Sequence, residues 1–81
     1  MEEVLEKMYR KVMIPQYPEI EDVHVSTMGM GFIYRVTYEV SSKIENRVAY
    51  KIMDESTSLF KMISQDPNSD IIVDFVRAKN I

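Results

Sequence analysis

Two runs of alternating apolar and polar residues, DVHVSTM at 22–28 and FIYRVTYEV at 32–40, meet at the segment TMGMGF. Both runs are rich in β-branched and aromatic residues, and their period of two is typical of half-buried strands. The segment between them holds both glycines of the chain, Gly29 and Gly31. The pattern therefore predicts an antiparallel β-hairpin, and this feature constrains the fold most.

The register of the hairpin follows from its apolar faces. Residues directly opposite each other in an antiparallel pair point to the same face, so the apolar residues of the first run must oppose those of the second. The register that we predict pairs Thr27 with Phe32, Val25 with Tyr34 and Val23 with Val36. It leaves a two-residue loop of Gly29 and Met30, in which Gly29 takes the first central position of a type II′ turn, where φ is positive.

Gly29 and Gly31 also form a G-x-G, which raises the alternative of a phosphate-binding loop. Such a loop requires a strand that leads into a helix, because the helix amino terminus faces the phosphate. Here a strand follows, so we interpret the glycines as a turn.

Helical spacing of apolar residues marks two further segments. EEVLEKMYRKVMI, at 2–14, predicts a first helix that Pro15 ends. A second helix is predicted from a capping box of Ser42 and Glu45 towards Gln65, with a kink or break near Ser56 where helix propensity is weakest. After the turn DPNSD, residues 70–79 (DIIVDFVRAK) predict a third strand.

The order α-β-β-α-β predicts an α+β two-layer sandwich in a single domain, 1–81, with a three-stranded mixed sheet and two helices on one face. This order is similar in topology to that of type II KH-like domains and of the ring-building modules of bacterial secretion and sporulation complexes. The nucleic-acid-binding form of KH carries a G-x-x-G between two helices. The segment NRVAYKIMDES contains no glycine.

Composition narrows the chemistry. The chain has no cysteine, which excludes disulfides and thiolate ligands and favours a cytoplasmic protein. A formal charge of −3 opposes general binding of phosphate backbones, and no apolar run has the ~20 residues that cross a bilayer.

No nucleophile, base and orienting group can be named, so we predict neither an enzyme nor a cofactor. Asp22 and the only histidine, His24, supply two metal ligands where a site needs three or four, so no metal is predicted.

Apolar residues remain on the sheet face that the helices do not cover, which predicts a surface that contacts another protein or a second copy of the chain. The residues of this predicted contact surface are Met28, Met30, Ile33, Arg35, Ile72, Asp74 and Val76. The function that we predict is a non-enzymatic interaction module: an adaptor, inhibitor or assembly subunit that uses its open sheet face or an edge strand. The alternative is a KH-like nucleic-acid-binding domain that uses a basic helical stripe of Lys43, Arg47 and Lys51.

Overall fold

The computed structural model describes residues 2–64 and 67–77. Its elements are helix α1 (Glu2–Gln16), strands β1 (Ile20–Met28) and β2 (Ile33–Val40), helix α2 (Asn46–Ile63) and strand β3 (Asp70–Arg77). The predicted order α-β-β-α-β is therefore confirmed. The last two residues of the predicted third strand, and the predicted end of the second helix at Gln65, lie outside the described residues.

The three strands form one open sheet in the order β1-β2-β3. β1 and β2 pair antiparallel, whereas β2 and β3 pair parallel because α2 carries the chain back across the sheet. Both helices contribute to one core on a single face of this sheet. The buried apolar residues of that core include Leu5, Tyr9, Met13, Val23, Val25, Val36, Tyr38, Val40, Ile52 and Phe60. The predicted α+β fold is confirmed.

The hairpin loop is longer than predicted. Met28 pairs with Ile33, so four residues, 29–32, form the loop. Val25 pairs with Val36 instead of Tyr34, so the predicted register is wrong by two residues. The loop contains two overlapping turns, in which the Gly31 N–H bonds the Met28 carbonyl at 3.2 Å and the Phe32 N–H bonds the Gly29 carbonyl at 3.3 Å. The error is an even number of residues, so the side chains of β1 and β2 still lie on their predicted faces, and Phe32, which the longer loop includes, is the exception.

The backbone of the loop explains the difference. Positive φ continues through Gly29 (59°), Met30 (61°) and Gly31 (88°), whereas a type II′ turn needs it at one position only. The predicted positive φ at Gly29 is confirmed. The second glycine permits a second left-handed turn, and this places Phe32 in the loop with 51% of its surface exposed instead of in the core.

Three predictions about the helices are corrected. Pro15 lies inside the last turn of α1 and does not end it. α2 begins at Asn46, and its N-cap residue, Glu45, makes no side-chain cap bond, so the predicted capping box with Ser42 is wrong. Before the helix, the Ile44 N–H donates to the Ser41 carbonyl at 3.1 Å and closes a turn. α2 also continues unbroken through Ser56, because that side chain is buried and hydrogen-bonded within the core.

Candidate functional site

The open face is the face of the sheet opposite the two helices. Strand register places its side chains in four rows, each with one residue from each strand. In order along the sheet, the rows are Met28–Ile33–Asp70, Ser26–Arg35–Ile72, His24–Thr37–Asp74 and Asp22–Glu39–Val76. Six of the seven predicted contact residues lie on this face, and Met30 lies at the hairpin tip.

Four of the twelve side chains on the open face are apolar, and we define these four, Met28, Ile33, Ile72 and Val76, as the apolar patch. Met28, Ile72 and Val76 are 41%, 46% and 49% exposed, and Ile33 is half-buried. Exposed apolar side chains that lie together on one face can mark a contact surface. Of the apolar residues predicted to lie outside the core, Ile72 and Val76 are exposed and Ile33 is half-buried, while their contact with another molecule stays a prediction.

Arg35 and Asp74 form an ion pair within the open face, between the two exposed β3 residues of the apolar patch. The hydrogen bond from Arg35 lowers the pKa of Asp74 below its ordinary value, and the Phe75 N–H, which donates to the same carboxylate at 2.9 Å, lowers it further. The pair is about as exposed as the apolar residues beside it. It gives the open face a fixed polar feature at its centre.

The hairpin tip projects two apolar side chains beyond the sheet. Met30 is 96% exposed, although its φ of 61° is one that non-glycine residues seldom adopt. Phe32 is 51% exposed beside it. Sequence reasoning missed Phe32, because the predicted register assigned it to the core; the G-M-G spacing was the available signal for a longer left-handed loop.

A cluster of His24 with two carboxylates lies at one end of the open face. The Nε2 atom of His24 is 3.6 Å from Oδ2 of Asp22 and 3.3 Å from Oε2 of Glu39. Sequence reasoning placed Asp22 and His24 together but missed Glu39. The predicted register, extended along the strands, sets Asp22 opposite Thr37, whereas the observed register sets it opposite Glu39.

The sheet edges are partly closed by carboxylates. On β1, the Val25 N–H donates to Glu6 Oε1 at 3.0 Å and the Val23 N–H to Asp22 Oδ1 at 2.8 Å. On β3, the N–H of Ile71 donates to the side chain of Asp70, at 2.8 Å. Side chains that bond outward N–H groups discourage the addition of another strand.

The predicted basic stripe is not a single helical face. Lys43 precedes α2, while Arg47 and Lys51 lie within its first two turns. The Nε atom of Arg47 lies 2.9 Å from a carboxylate oxygen of Glu45, so part of the positive charge is neutralised locally. The assignment of Lys43 to the helix is wrong because the helix begins three residues after it.

No protein-family model matches the sequence, and no curated protein matches it. Within residues 2–64 and 67–77, neither helix has the length and apolar character needed to cross a membrane. The open face offers apolar contact area, an ion pair and a histidine–carboxylate cluster. The absence of enzymatic activity stays a prediction from the sequence.

Proposed function

We propose that this chain is a non-enzymatic protein-interaction module that binds another protein, or a second copy of itself, through the open face. The observation that carries the proposal is the apolar patch, with the Arg35–Asp74 ion pair inside it, on a sheet face that the described helices leave uncovered. A cytoplasmic location remains our expectation for such a module, given that the chain has no cysteine.

The patch can supply useful binding free energy. Complete burial of an exposed Val, Ile or Met side chain is worth about 1.5 to 3 kcal/mol, so each half-exposed member contributes roughly 1 kcal/mol. The carboxylate of Asp74 already has Arg35 as a partner, so a partner surface that covers both does not leave an unpaired buried charge. An apolar surface with an Arg at its centre has the composition of an interface core.

The conformation of Met30 gives independent support. A left-handed backbone costs a non-glycine residue about 1 to 2 kcal/mol, yet this side chain is almost fully exposed and makes no compensating core contact. Strained residues of this kind concentrate at sites of binding. With Phe32, Met30 gives a partner an adaptable apolar contact at the end of the sheet.

The edges of the sheet support binding through its face over strand addition. Glu6 and Asp22 already bond two outward N–H groups of β1, and Asp70 and Asp74 bond two of β3. An added strand would have to displace these carboxylates. The alternative of nucleic-acid binding has weaker support, because Lys43 lies outside the helix and Arg47 pairs with Glu45.

Light scattering on the purified chain tests self-association. We expect a mass above the 9.5 kDa monomer at high micromolar concentration, and we expect Ile72→Lys to return the chain to a monomer without unfolding it. Met62→Lys is the matched control, since Met62 is 81% exposed on α2, away from the open face. A monomeric wild type would rule out self-association.

Affinity capture then tests a different partner. Proteins retained by the wild type and Met62→Lys but lost by Ile72→Lys support the open face; equal capture by all three contradicts it. Single-stranded RNA or DNA binding that falls with salt and disappears when Arg47 and Lys51 become Glu would favour the nucleic-acid alternative instead.

A further inference from the structure

The cluster of Asp22, His24 and Glu39 has the composition and geometry of a metal site. Asp22 and His24 are two residues apart on β1 and so share a face, and Glu39 lies directly opposite Asp22 on β2. One ligand atom from each of the three lies within 4.8 Å of the other two. We propose that these three side chains bind a divalent transition-metal ion of the zinc class.

The spacing of the ligand atoms fits such an ion. Zn²⁺ holds nitrogen and oxygen ligands at about 2.0 to 2.2 Å, which sets neighbouring ligands of a tetrahedron about 3.3 to 3.6 Å apart. The Nε2 atom of His24 is 3.3 Å from Glu39 Oε2 and 3.6 Å from Asp22 Oδ2. The two carboxylates offer oxygens within 4.8 Å of each other, and binding of the ion would draw them closer together.

The surroundings orient these ligands. Oδ1 of Asp22 accepts hydrogen bonds from Nε of Arg10 at 2.9 Å and from the Val23 N–H at 2.8 Å, while Oδ2 faces His24. On the other side of the imidazole, Nδ1 lies 3.9 Å from Oε1 of Glu6. Donors to the outer oxygen hold Asp22 in position as a metal ligand, whereas 3.9 Å is too long for a hydrogen bond from His24 to Glu6.

The charges around His24 also favour a cation. The carboxylates of Glu6, Asp22 and Glu39 surround one imidazole, and Arg10 pairs with two of them, Glu6 and Asp22. A divalent ion would neutralise the excess negative charge.

The ligand set selects the type of ion. An imidazole with two carboxylates suits Zn²⁺ and its neighbours better than Mg²⁺ or Ca²⁺, which prefer oxygen ligands alone. Three protein ligands on an exposed face leave a fourth position that faces solvent, where a water molecule completes the tetrahedron. The members of this cluster do not belong to the apolar patch, although Glu39 lies directly opposite Val76, so metal binding is measured on the chain without a partner.

Calorimetric titration of the full chain with Zn²⁺ tests the proposal, with Co²⁺ as a spectroscopic substitute. We expect one ion per chain and the visible absorption of tetrahedral Co²⁺. His24 is the only histidine, so its imidazole NMR signals report directly on binding and should shift with added Zn²⁺. Replacement of a ligand, by His24→Gln or Glu39→Gln, should weaken binding at least tenfold.

Asp54→Asn is the control, because Asp54 is an exposed carboxylate on α2, outside both the cluster and the open face, and the affinity of this variant for Zn²⁺ should equal that of the wild type. His24 is exposed and Glu39 is half-buried, and circular dichroism will show whether both ligand variants are folded. Absence of saturable binding, or equal affinity in wild type, His24→Gln and Glu39→Gln, overturns the proposal.

Discussion

The hydroxyl of Tyr9 donates a hydrogen bond to the backbone carbonyl of Ser56 at 2.8 Å, across 47 residues of sequence. The hydroxyl of Ser56 lies 2.5 Å from that of Tyr38 and donates to the Ile52 carbonyl, also at 2.5 Å. All three side chains are fully buried. This buried polar network joins α1, β2 and α2, so it fixes how both helices lie on the sheet that carries the open face.

Removal of the Ser56 hydroxyl should destabilise the fold. Ser56→Ala leaves the buried Tyr38 hydroxyl without its partner, which costs about 1 to 3 kcal/mol in free energy of unfolding. The double variant with Tyr38→Phe should cost less than the sum of the two single changes, because both groups of the bond are then absent. Urea titration measures each value.

Thr57→Ala is the matched control for this cycle. Its hydroxyl makes the same kind of bond, to the Met53 carbonyl at 3.0 Å, but on the exposed side of the helix. The expected change is within ~0.5 kcal/mol. Additive effects of Ser56→Ala and Tyr38→Phe would show that the two hydroxyls do not interact in solution.

Tyr38 should also limit stability at alkaline pH. Burial raises the pKa of Tyr38 to about 12, whereas an unfolded tyrosine ionises near ~10. The folded state therefore holds this proton more tightly, so the contribution is complete below pH ~10 and is lost as the pH rises towards the folded pKa. Ultraviolet titration should show a tyrosine that ionises at high pH and is missing from Tyr38→Phe. If the high-pH part of the titration is unchanged in that variant, the assignment to Tyr38 is wrong.

In the hairpin loop, substitutions at two adjacent residues should change the free energy of unfolding in opposite directions. A residue with a side chain at position 29 would have to adopt the positive φ of Gly29, and its Cβ would lie 3.3 Å from Cδ1 of Ile33. Gly29→Val should therefore destabilise the fold by about 1 kcal/mol or more. Gly29→Asn should be milder, because Asn tolerates this conformation. Met30→Gly should stabilise by up to about 1 kcal/mol, since it relieves the strain at φ 61°. Equal stability of all variants in urea titration would remove the argument.

These two regions show how far the sequence determines the structure. Alternation in β1 and β2 determines which side chains face the core, and the sequence predicted those faces correctly even with the wrong register, because the error was two residues. Loop length depends on backbone conformation, and a G-M-G segment is compatible with either a two-residue or a four-residue loop. Helix propensity is a local property, and it predicts a kink or break near Ser56. The partners of Ser56, Tyr9 and Tyr38, are distant in sequence and meet it only after folding.

In the candidate site, too, one part can be predicted from alternation and another part depends on the strand register. Membership of the open face follows from alternation, so Ile72 and Val76 were predicted as exposed and are exposed. The pairing of Glu39 with Asp22 follows from the exact register, so the third member of the histidine–carboxylate cluster could not be found before the loop was known. A surface is thus easier to predict from this sequence than a cluster of three ligands.

The Arg35–Asp74 pair should make the fold more sensitive to acid. The pKa of Asp74 is lowered in the folded state, so its contribution to stability is present above the unfolded value near ~3.9 and is lost as the pH falls through the folded pKa. Asp74→Asn should flatten the dependence of unfolding free energy on pH below ~4. Arg35→Gln should flatten it partly, because the Phe75 N–H still bonds the carboxylate. An unchanged acid slope in Asp74→Asn would show that the pair contributes nothing in solution.

Glu6 should protect the edge of β1. Its Oε1 atom accepts the Val25 N–H at 3.0 Å, where an added strand would otherwise bond. In Glu6→Ala, amide hydrogen exchange at Val25 should accelerate and the free energy of unfolding should fall by about 0.5 to 1.5 kcal/mol. Glu6→Gln keeps a carbonyl acceptor at the same position and should retain most of the protection. Exchange at Val23, whose N–H bonds Asp22, is the internal reference and should not change. If Val25 exchanges equally fast in all three proteins, Glu6 does not cover this edge, and strand addition at β1 becomes as available to a partner as the open face.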